Sequence, residues 1–239
     1  MKRAEKKASN KLVGIMIALA AVVVIVAGFI FFNPFGGGKS SSTAKKTTST
    51  SSTKQAAKYE PSQEEKDYLK NRFAQLTAVN PETIGYVYAP GTELDEPVVQ
   101  TTDNETYLNK TFDGGNEPLM GTVFMDTDNK KDFSDRLTWL FGHARGSKVA
   151  DHRMFNDVNF YDKQDYFDQH PYVVIETPDR KYYYEAMCLV IVPEDTAFYR
   201  TSFTDDKDFT TQLKKVYEDG QTKNPNIKIK ASDKYLVLS

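Results

Sequence analysis

The chain has a single cysteine in 239 residues, Cys188, so no internal disulfide can form. Histidine is nearly as scarce: His143, His152 and His170 are the three, and their spacing is not that of metal ligands. No G-x-S-x-G elbow and no glycine-rich phosphate loop is present, which sets aside hydrolases built on a serine elbow and P-loop nucleotide chemistry. An excess of one charge sign is missing too. Thirty-one Lys and Arg against 33 Asp and Glu give a formal net charge of -2, and a chain so balanced offers nucleic acid no basic surface by composition. One long stretch lacks charge altogether, from Leu12 to Phe32.

That stretch organises the N-terminal quarter. Residues 1–11 carry Lys2, Arg3, Lys6, Lys7 and Lys11 against the lone acid Glu5, and the uncharged run over 12–32 has the length of about 20 residues that a helix needs to cross a bilayer. A basic flank stays in the cytoplasm. A cleaved signal peptide has an apolar core of only about 7–15 residues and a small-residue cleavage site. Here the run leaves through Phe29-Ile30-Phe31-Phe32-Asn33-Pro34, with no such site. The reading is an uncleaved, single-pass transmembrane anchor over 12–32, with the tail 1–11 in the cytoplasm and the rest outside the cell membrane. From Gly36 to Lys58 the chain is mostly Gly, Ser, Thr and Lys with almost nothing to bury, and residues 33–58 are read as a flexible linker. The folded domain is then 59–239.

Ser62-Gln63-Glu64-Glu65 has the capping-box pattern, in which a hydroxyl and a carboxylate satisfy the first unpaired amides of a helix. Leu69, Phe73 and Leu76 follow at helical spacing, and Asn80-Pro81 ends the helix. Beyond it the pattern predicts short strands at Ile84–Tyr88, Pro97–Val99, Thr122–Met125, Leu137–Phe141, Tyr172–Glu176, Lys181–Val192, Ile227–Lys230 and Tyr235–Leu238. Many short strands between Gly, Pro, Asn and Asp turns predict a closed or nearly closed β-barrel. Helical interruptions near Met154–Tyr161 and Phe209–Glu218 are expected to cover it, the second through Phe209, Leu213, Val216 and Tyr217 on one face.

Chemistry is concentrated where the run Leu137–Phe141 breaks at Gly142 and delivers His143. A strand end holds an imidazole rigidly at a cleft, and an imidazole titrates where protons move to and from leaving groups at neutral pH. Cys188 is the obvious partner, yet it lies in the apolar run Glu185–Val192, where burial raises a thiol pKa and makes it inert. It is read as core. Asp126-Thr127-Asp128-Asn129 begins like a calcium loop, but Lys131 and Leu137 stand where a glycine and a bidentate glutamate are needed. No metal and no cofactor is expected.

Asn80-Pro81-Glu82-Thr83-Ile84-Gly85-Tyr86, Pro97-Val98-Val99-Gln100, Asp103-Asn104-Glu105-Thr106-Tyr107-Leu108, Gly121-Thr122-Val123-Phe124-Met125-Asp126, Phe141-Gly142-His143, Met154-Phe155 and His170-Pro171-Tyr172 resemble, in order and spacing, the landmarks of the class B sortases. The resemblance runs from about Ser62 to the C-terminus. It implies a mainly β fold, a sortase-like β-barrel with covering helices behind one N-terminal transmembrane helix. It also implies a membrane-anchored cysteine transpeptidase of Gram-positive bacteria, which cuts a C-terminal sorting signal and joins the new end to an amine of a cell-wall precursor or a pilin. In that family a Cys thiolate attacks the scissile carbonyl, a His shuttles the amine proton and an Arg stabilises the oxyanion. His143 matches the His. Asn104, Leu108 and Tyr199 match positions lining the sorting-signal groove, Phe141 stands where the family often has Tyr, and Ser239 belongs to the strand end that precedes the nucleophile.

The family's Cys follows a strand ending Leu-Ser-Thr, and the chain ends at Tyr235-Leu236-Val237-Leu238-Ser239. The expectation is therefore a domain with seven of eight strands, lacking the catalytic Cys and the Arg of the closing strand, and inactive as it stands. Arg145 and Arg200 do not match the family's Arg. The alternative is a non-catalytic, membrane-anchored extracellular module that binds peptide in the same groove.

Overall fold

The computed structural model describes residues 19–27, 59–144, 153–193 and 198–239. Helix α1 (Gln63–Val79) begins as anticipated at Ser62, whose hydroxyl accepts the Glu65 amide at 3.1 Å. The reciprocal half of the capping box is absent. Packing of α1 against the strand that starts at Lys181 brings other donors to Glu65, and its carboxylate accepts from the Tyr59 hydroxyl and the Lys181 amide. Leu69 and Phe73, one turn apart, are buried. At the helix end the Asn80 side chain donates to the Tyr107 hydroxyl at 2.8 Å and the Phe112 carbonyl at 3.1 Å, tying α1 to the loop that carries Asn104 and Leu108.

Among the described residues, nine strands form one sheet: β1 (Leu19–Ala27), β2 (Thr83–Tyr88), β3 (Asp95–Val99), β4 (Val123–Met125), β5 (Leu137–Phe141), β6 (Tyr172–Glu176), β7 (Lys181–Pro193), β8 (Thr222–Lys223) and β9 (Lys234–Leu238). Their order is β1-β9-β5-β4-β3-β2-β6-β7-β8, and a second pairing of β1 with β7 closes the circuit. The long β7 makes this possible. Its first half pairs with β6 and its second half with β1 and β8.

Strand β1 departs from the sequence reading. Where 12–32 was expected to form a membrane-crossing helix, Leu19–Ala27 lies antiparallel between β7 and β9, in the place expected to lack a strand. No helix among the described residues is long and apolar enough to cross a membrane. The physical reason is composition and need together. Val22-Val23-Val24-Ile25-Val26 is a β-branched run that suits a strand, and without it β7 and β9 would each present an unpaired backbone edge.

Alternation along the strands separates the two larger core clusters. Leu236 and Leu238 of β9 and Leu140 of β5 point into the barrel with Val98, Val123 and Phe155. Tyr235 and Val237 of β9 and Leu137 and Trp139 of β5 point outward and pack under α3 (Asp206–Asp219) through Phe209, Leu213 and Val216. Each such buried side chain contributes about 1.5–3 kcal/mol relative to exposure, which is what holds this otherwise charged helix to the barrel.

Two further expectations are corrected. The helical segment near Met154–Tyr161 is a 3₁₀ helix over Asn156–Asp162, followed by a short α2 (Gln164–Gln169); Met154 has φ 58°, so no right-handed helix starts there. Residues 227–230 form no strand. Tyr235 intercepts that backbone, its hydroxyl both accepting from the Lys230 amide at 2.9 Å and donating to the Lys230 carbonyl at 3.0 Å. The strand there is Thr222–Lys223, before the Asn224-Pro225 turn.

Candidate active site

Strand β5 runs parallel to β9, with Leu140 opposite Leu238, so both strands end on the same side of the sheet. Past that level the pairing continues for one more step. The Ser239 amide donates to the Leu140 carbonyl at 2.9 Å, and the Gly142 amide donates to the Ser239 carbonyl at 2.9 Å. His143 comes next. Its carbonyl accepts from the Phe155 amide at 3.1 Å, and its ring Nε2 donates to the Leu108 carbonyl at 2.7 Å. With Nε2 donating that hydrogen bond, Nδ1 is the ring nitrogen left open to another partner. Gly142 is needed for the close approach: a Cβ there would stand 3.1 Å from the Phe155 ring.

Leu108 closes a 3₁₀ turn, Thr106–Leu108, and is 39 % exposed beside the histidine it anchors. Asn104, just before that turn, has its side-chain amide held at both ends: Nδ2 donates to Asp126 Oδ2 at 3.1 Å and Oδ1 accepts the Thr127 amide at 3.0 Å. On the opposite side, Phe141 is half-buried and lies 5.4 Å from Phe124 and 6.3 Å from Trp139. Tyr199 is exposed, with its ring edge-on to Trp139 at 5.2 Å and its hydroxyl donating to Asp126 Oδ2 at 2.5 Å. Burial and that hydrogen bond push the Tyr199 phenol above its ordinary range. His143, Leu108, Asn104, Phe141, Tyr199 and Ser239 are thus linked by contacts through β5 and Asp126.

Other polar residues lie elsewhere or are committed to structure. Cys188 is fully buried in the core beneath α3, its Sγ directed at the Val216 carbonyl 3.9 Å away, and burial pushes its thiol up to about 12. His170 ends α2, its Nδ1 bonded to the Tyr166 carbonyl and its ring tilted against Tyr166 with centroids 4.0 Å apart. Arg200 is paired with both oxygens of Asp208, at 2.9 and 2.7 Å. Arg145 and His152 lie outside the described residues. Among the described residues no three His, Cys, Asp or Glu side chains stand close enough to hold a metal ion.

Two members of this region escape a reading of the sequence. Trp139 is spaced like any outward strand residue, yet its indole N–H reaches the Arg200 carbonyl at 2.9 Å and so fastens the Tyr199 segment. Asp126, weighed above only as a calcium ligand, is instead the shared acceptor of Asn104 and Tyr199.

No protein-family model matches the chain. Sortase B of Listeria monocytogenes is 26 % identical over 171 residues, covering 72 % of this chain and 67 % of that protein. Among solved structures, the complex of Staphylococcus aureus sortase B with substrate superposes with a TM-score of 0.65 at 25 % identity, over 71 % of this chain and 76 % of that one. Sortase B from B. anthracis gives 0.62 at 27 % identity, over 70 % and 76 %. By sequence and by structure, the chain is a homologue of the class B sortases, a family of cysteine transpeptidases.

Proposed function

We propose that the domain cleaves a C-terminal sorting signal on a secreted surface protein or pilin and joins the new carboxyl end to an amine of a cell-wall precursor or another pilin. The observation that carries this reading is the hydrogen-bonded junction of Gly142 with Ser239, which sets His143 beside the end of β9; Leu108, Asn104, Phe141 and Tyr199 are read as the walls of the peptide groove there. The S. aureus relative is described with its substrate bound, which supports a peptide in the corresponding groove here.

The chemistry is acyl transfer in two steps. A thiolate attacks the scissile carbonyl, the C–N bond breaks as the departing amine takes a proton from His143, and a thioester remains; the acceptor amine then attacks that thioester while His143 takes its proton, and the C–S bond breaks to release the new amide and restore the thiolate. This reading requires a cysteine beyond Ser239 and an arginine beyond that for the oxyanion, because Cys188 is sealed in the core. The test extends the chain by Thr-Cys and a closing strand bearing Arg, then incubates it with a panel of sorting-signal peptides and an amine. Thiol-dependent cleavage and a new amide bond are expected from the extended protein and not from the 239-residue chain. An extended protein that folds and cleaves none of the panel would overturn the reading.

The burial of the chain's one thiol also favours a second reading, a membrane-anchored extracellular module that holds peptide without cutting it. Peptide binding by a protein that never gains a thiol in its native gene distinguishes the two. Anchoring through residues 12–32, with the basic tail in the cytoplasm, belongs to both readings. A segment paired with β7 and β9 cannot cross a bilayer in the same molecule, so anchoring requires Leu19–Ala27 to leave the sheet. Protease added to intact protoplasts should digest the folded domain. Protection of all but the first residues would reverse the orientation.

A further inference from the structure

Asn104 and Tyr199 are far apart in the sequence, and one side chain joins them. Asp126 follows β4 and has no solvent exposure. Its Oδ1 accepts the Asp128 amide at 2.8 Å, and its Oδ2 accepts both the Asn104 side-chain amide at 3.1 Å and the Tyr199 hydroxyl at 2.5 Å. The backbone beneath is equally committed. The Asp126 amide donates to the Trp139 carbonyl at 3.1 Å, and its carbonyl accepts the Gln100 side chain at 2.6 Å. Among the hydrogen bonds of this buried carboxylate are these three donors, two of them from the groove walls, and hydrogen bonds to an ionised acceptor are the short, strong ones.

We infer that Asp126 is a positioning residue that determines peptide specificity, by fixing the orientation of the Asn104 amide and the height of the Tyr199 ring across the groove. The inference rests on the groove reading above and adds to it the residue that sets its geometry. Asn104 can present itself to a peptide in one way only. Because Oδ1 is held by the Thr127 amide and one Nδ2 hydrogen by Asp126, the second hydrogen and the second lone pair of Oδ1 are what the amide has left to offer. Tyr199, exposed and aromatic, is held over the same mouth by its hydroxyl, while Thr201 repeats the tie one turn of chain later, its Oγ1 donating to Asp128 Oδ2 at 3.1 Å.

The sharpest perturbation is Asp126→Asn, which keeps shape and removes one acceptor. In either orientation its NH₂ faces a donor: the Asp128 amide on one side, or the Asn104 amide on the other. Relief comes only by flipping Asn104 away from Thr127 or by releasing the Tyr199 segment.

The test selects from a randomised pentapeptide pool on the full chain, on Asp126→Asn and on Tyr199→Phe, which removes only the hydroxyl. The parent is expected to select a consensus. Both variants should bind that consensus about tenfold more weakly, the size of one lost hydrogen bond, and lose preference at the same peptide position. The double variant should be no weaker than Asp126→Asn alone, because the two changes remove one interaction. Trp139, the chain's single tryptophan, reports the wall directly, and acrylamide should quench it more readily in Asp126→Asn. If Asp126→Asn fails to fold, Tyr199→Phe alone decides. A parent that selects no consensus overturns the groove reading and this inference with it. A parent consensus retained unchanged by the variants, or additive losses in the double variant, overturns the inference and leaves the groove reading standing.

Discussion

Ser239 lies hydrogen-bonded to Gly142, each strand's last turn of backbone completing the other's ladder at 2.9 Å. One residue on from Gly142 is His143, so the end of β9 lies at the level of that imidazole. In the extended protein, His143→Ala should lower turnover by about 100- to 10,000-fold, the range for a lost general acid and base, with peptide affinity nearly unchanged. Kinetics and thermal melting are measured on the same preparations. Activity within a few-fold of the parent would make His143 structural.

Cys188 is expected to be silent in every functional assay. Its thiol is buried and pushed up to about 12, so almost none is thiolate at neutral pH. A water-soluble thiol reagent at pH 8 should leave the native chain unmodified and label one site in denaturant. Cys188→Ala should cost about 1–2 kcal/mol in urea unfolding, as expected for a small packing defect, and leave peptide binding as it was. Rapid native labelling would contradict the burial.

The site's frame could be read from residues whose signal is local. Leu137–Phe141 is apolar and short, Gly142 breaks it, and His143 follows, so strand, turn and imidazole come from one window of sequence. The same local logic found the buried face of α3 and the burial of Cys188. What failed was decided by distant partners. Residues 227–230 look like a strand until the Tyr235 hydroxyl takes up the Lys230 backbone. Glu65 looks like a cap for Ser62 until Tyr59 and β7 arrive. Leu19–Ala27 has the composition of a membrane span and of a buried strand alike, and only the gap between β7 and β9 separates the two. Asp126 carries no local mark at all, because its role lies in two partners from other parts of the chain.

The segment bearing Tyr199 is also fastened by an exposed ion pair, and this predicts a pH dependence. The Arg200 guanidinium beside Asp208, with the Thr204 amide, holds the Asp208 carboxyl well below the usual carboxylate range. A folded-state pKa below the unfolded one means that this contribution to stability is complete above about pH 4 and is lost as pH falls through the depressed folded value. Asp208→Asn should therefore be less stable than the parent at neutral pH, with the gap closing as acid is added. Urea unfolding of both proteins across that range checks it. A gap that stays constant into strong acid would mean that Asp208 acts through shape and not through charge.

Leu108 can hold His143 only while its carbonyl stays in place, and Gly121 guards that place. Gly121 has φ 58°, and a Cβ added there would stand 2.1 Å from the Tyr107 carbonyl oxygen and 2.8 Å from the Leu108 carbonyl oxygen, the latter being the acceptor of His143 Nε2. Gly121→Ala meets two penalties, a left-handed backbone of about 1–2 kcal/mol and an overlap that backbone atoms cannot yield to without moving the 3₁₀ turn. Gly114 separates the two, since its φ is 91° and a Cβ there meets nothing within 4 Å. Gly114→Ala should show the backbone penalty alone. Gly121→Ala should cost clearly more in urea unfolding, and in the extended protein it should lower turnover as well, because the displaced Leu108 carbonyl no longer orients the imidazole. Equal costs for the two substitutions would show that the turn yields freely and that Gly121 does not position His143.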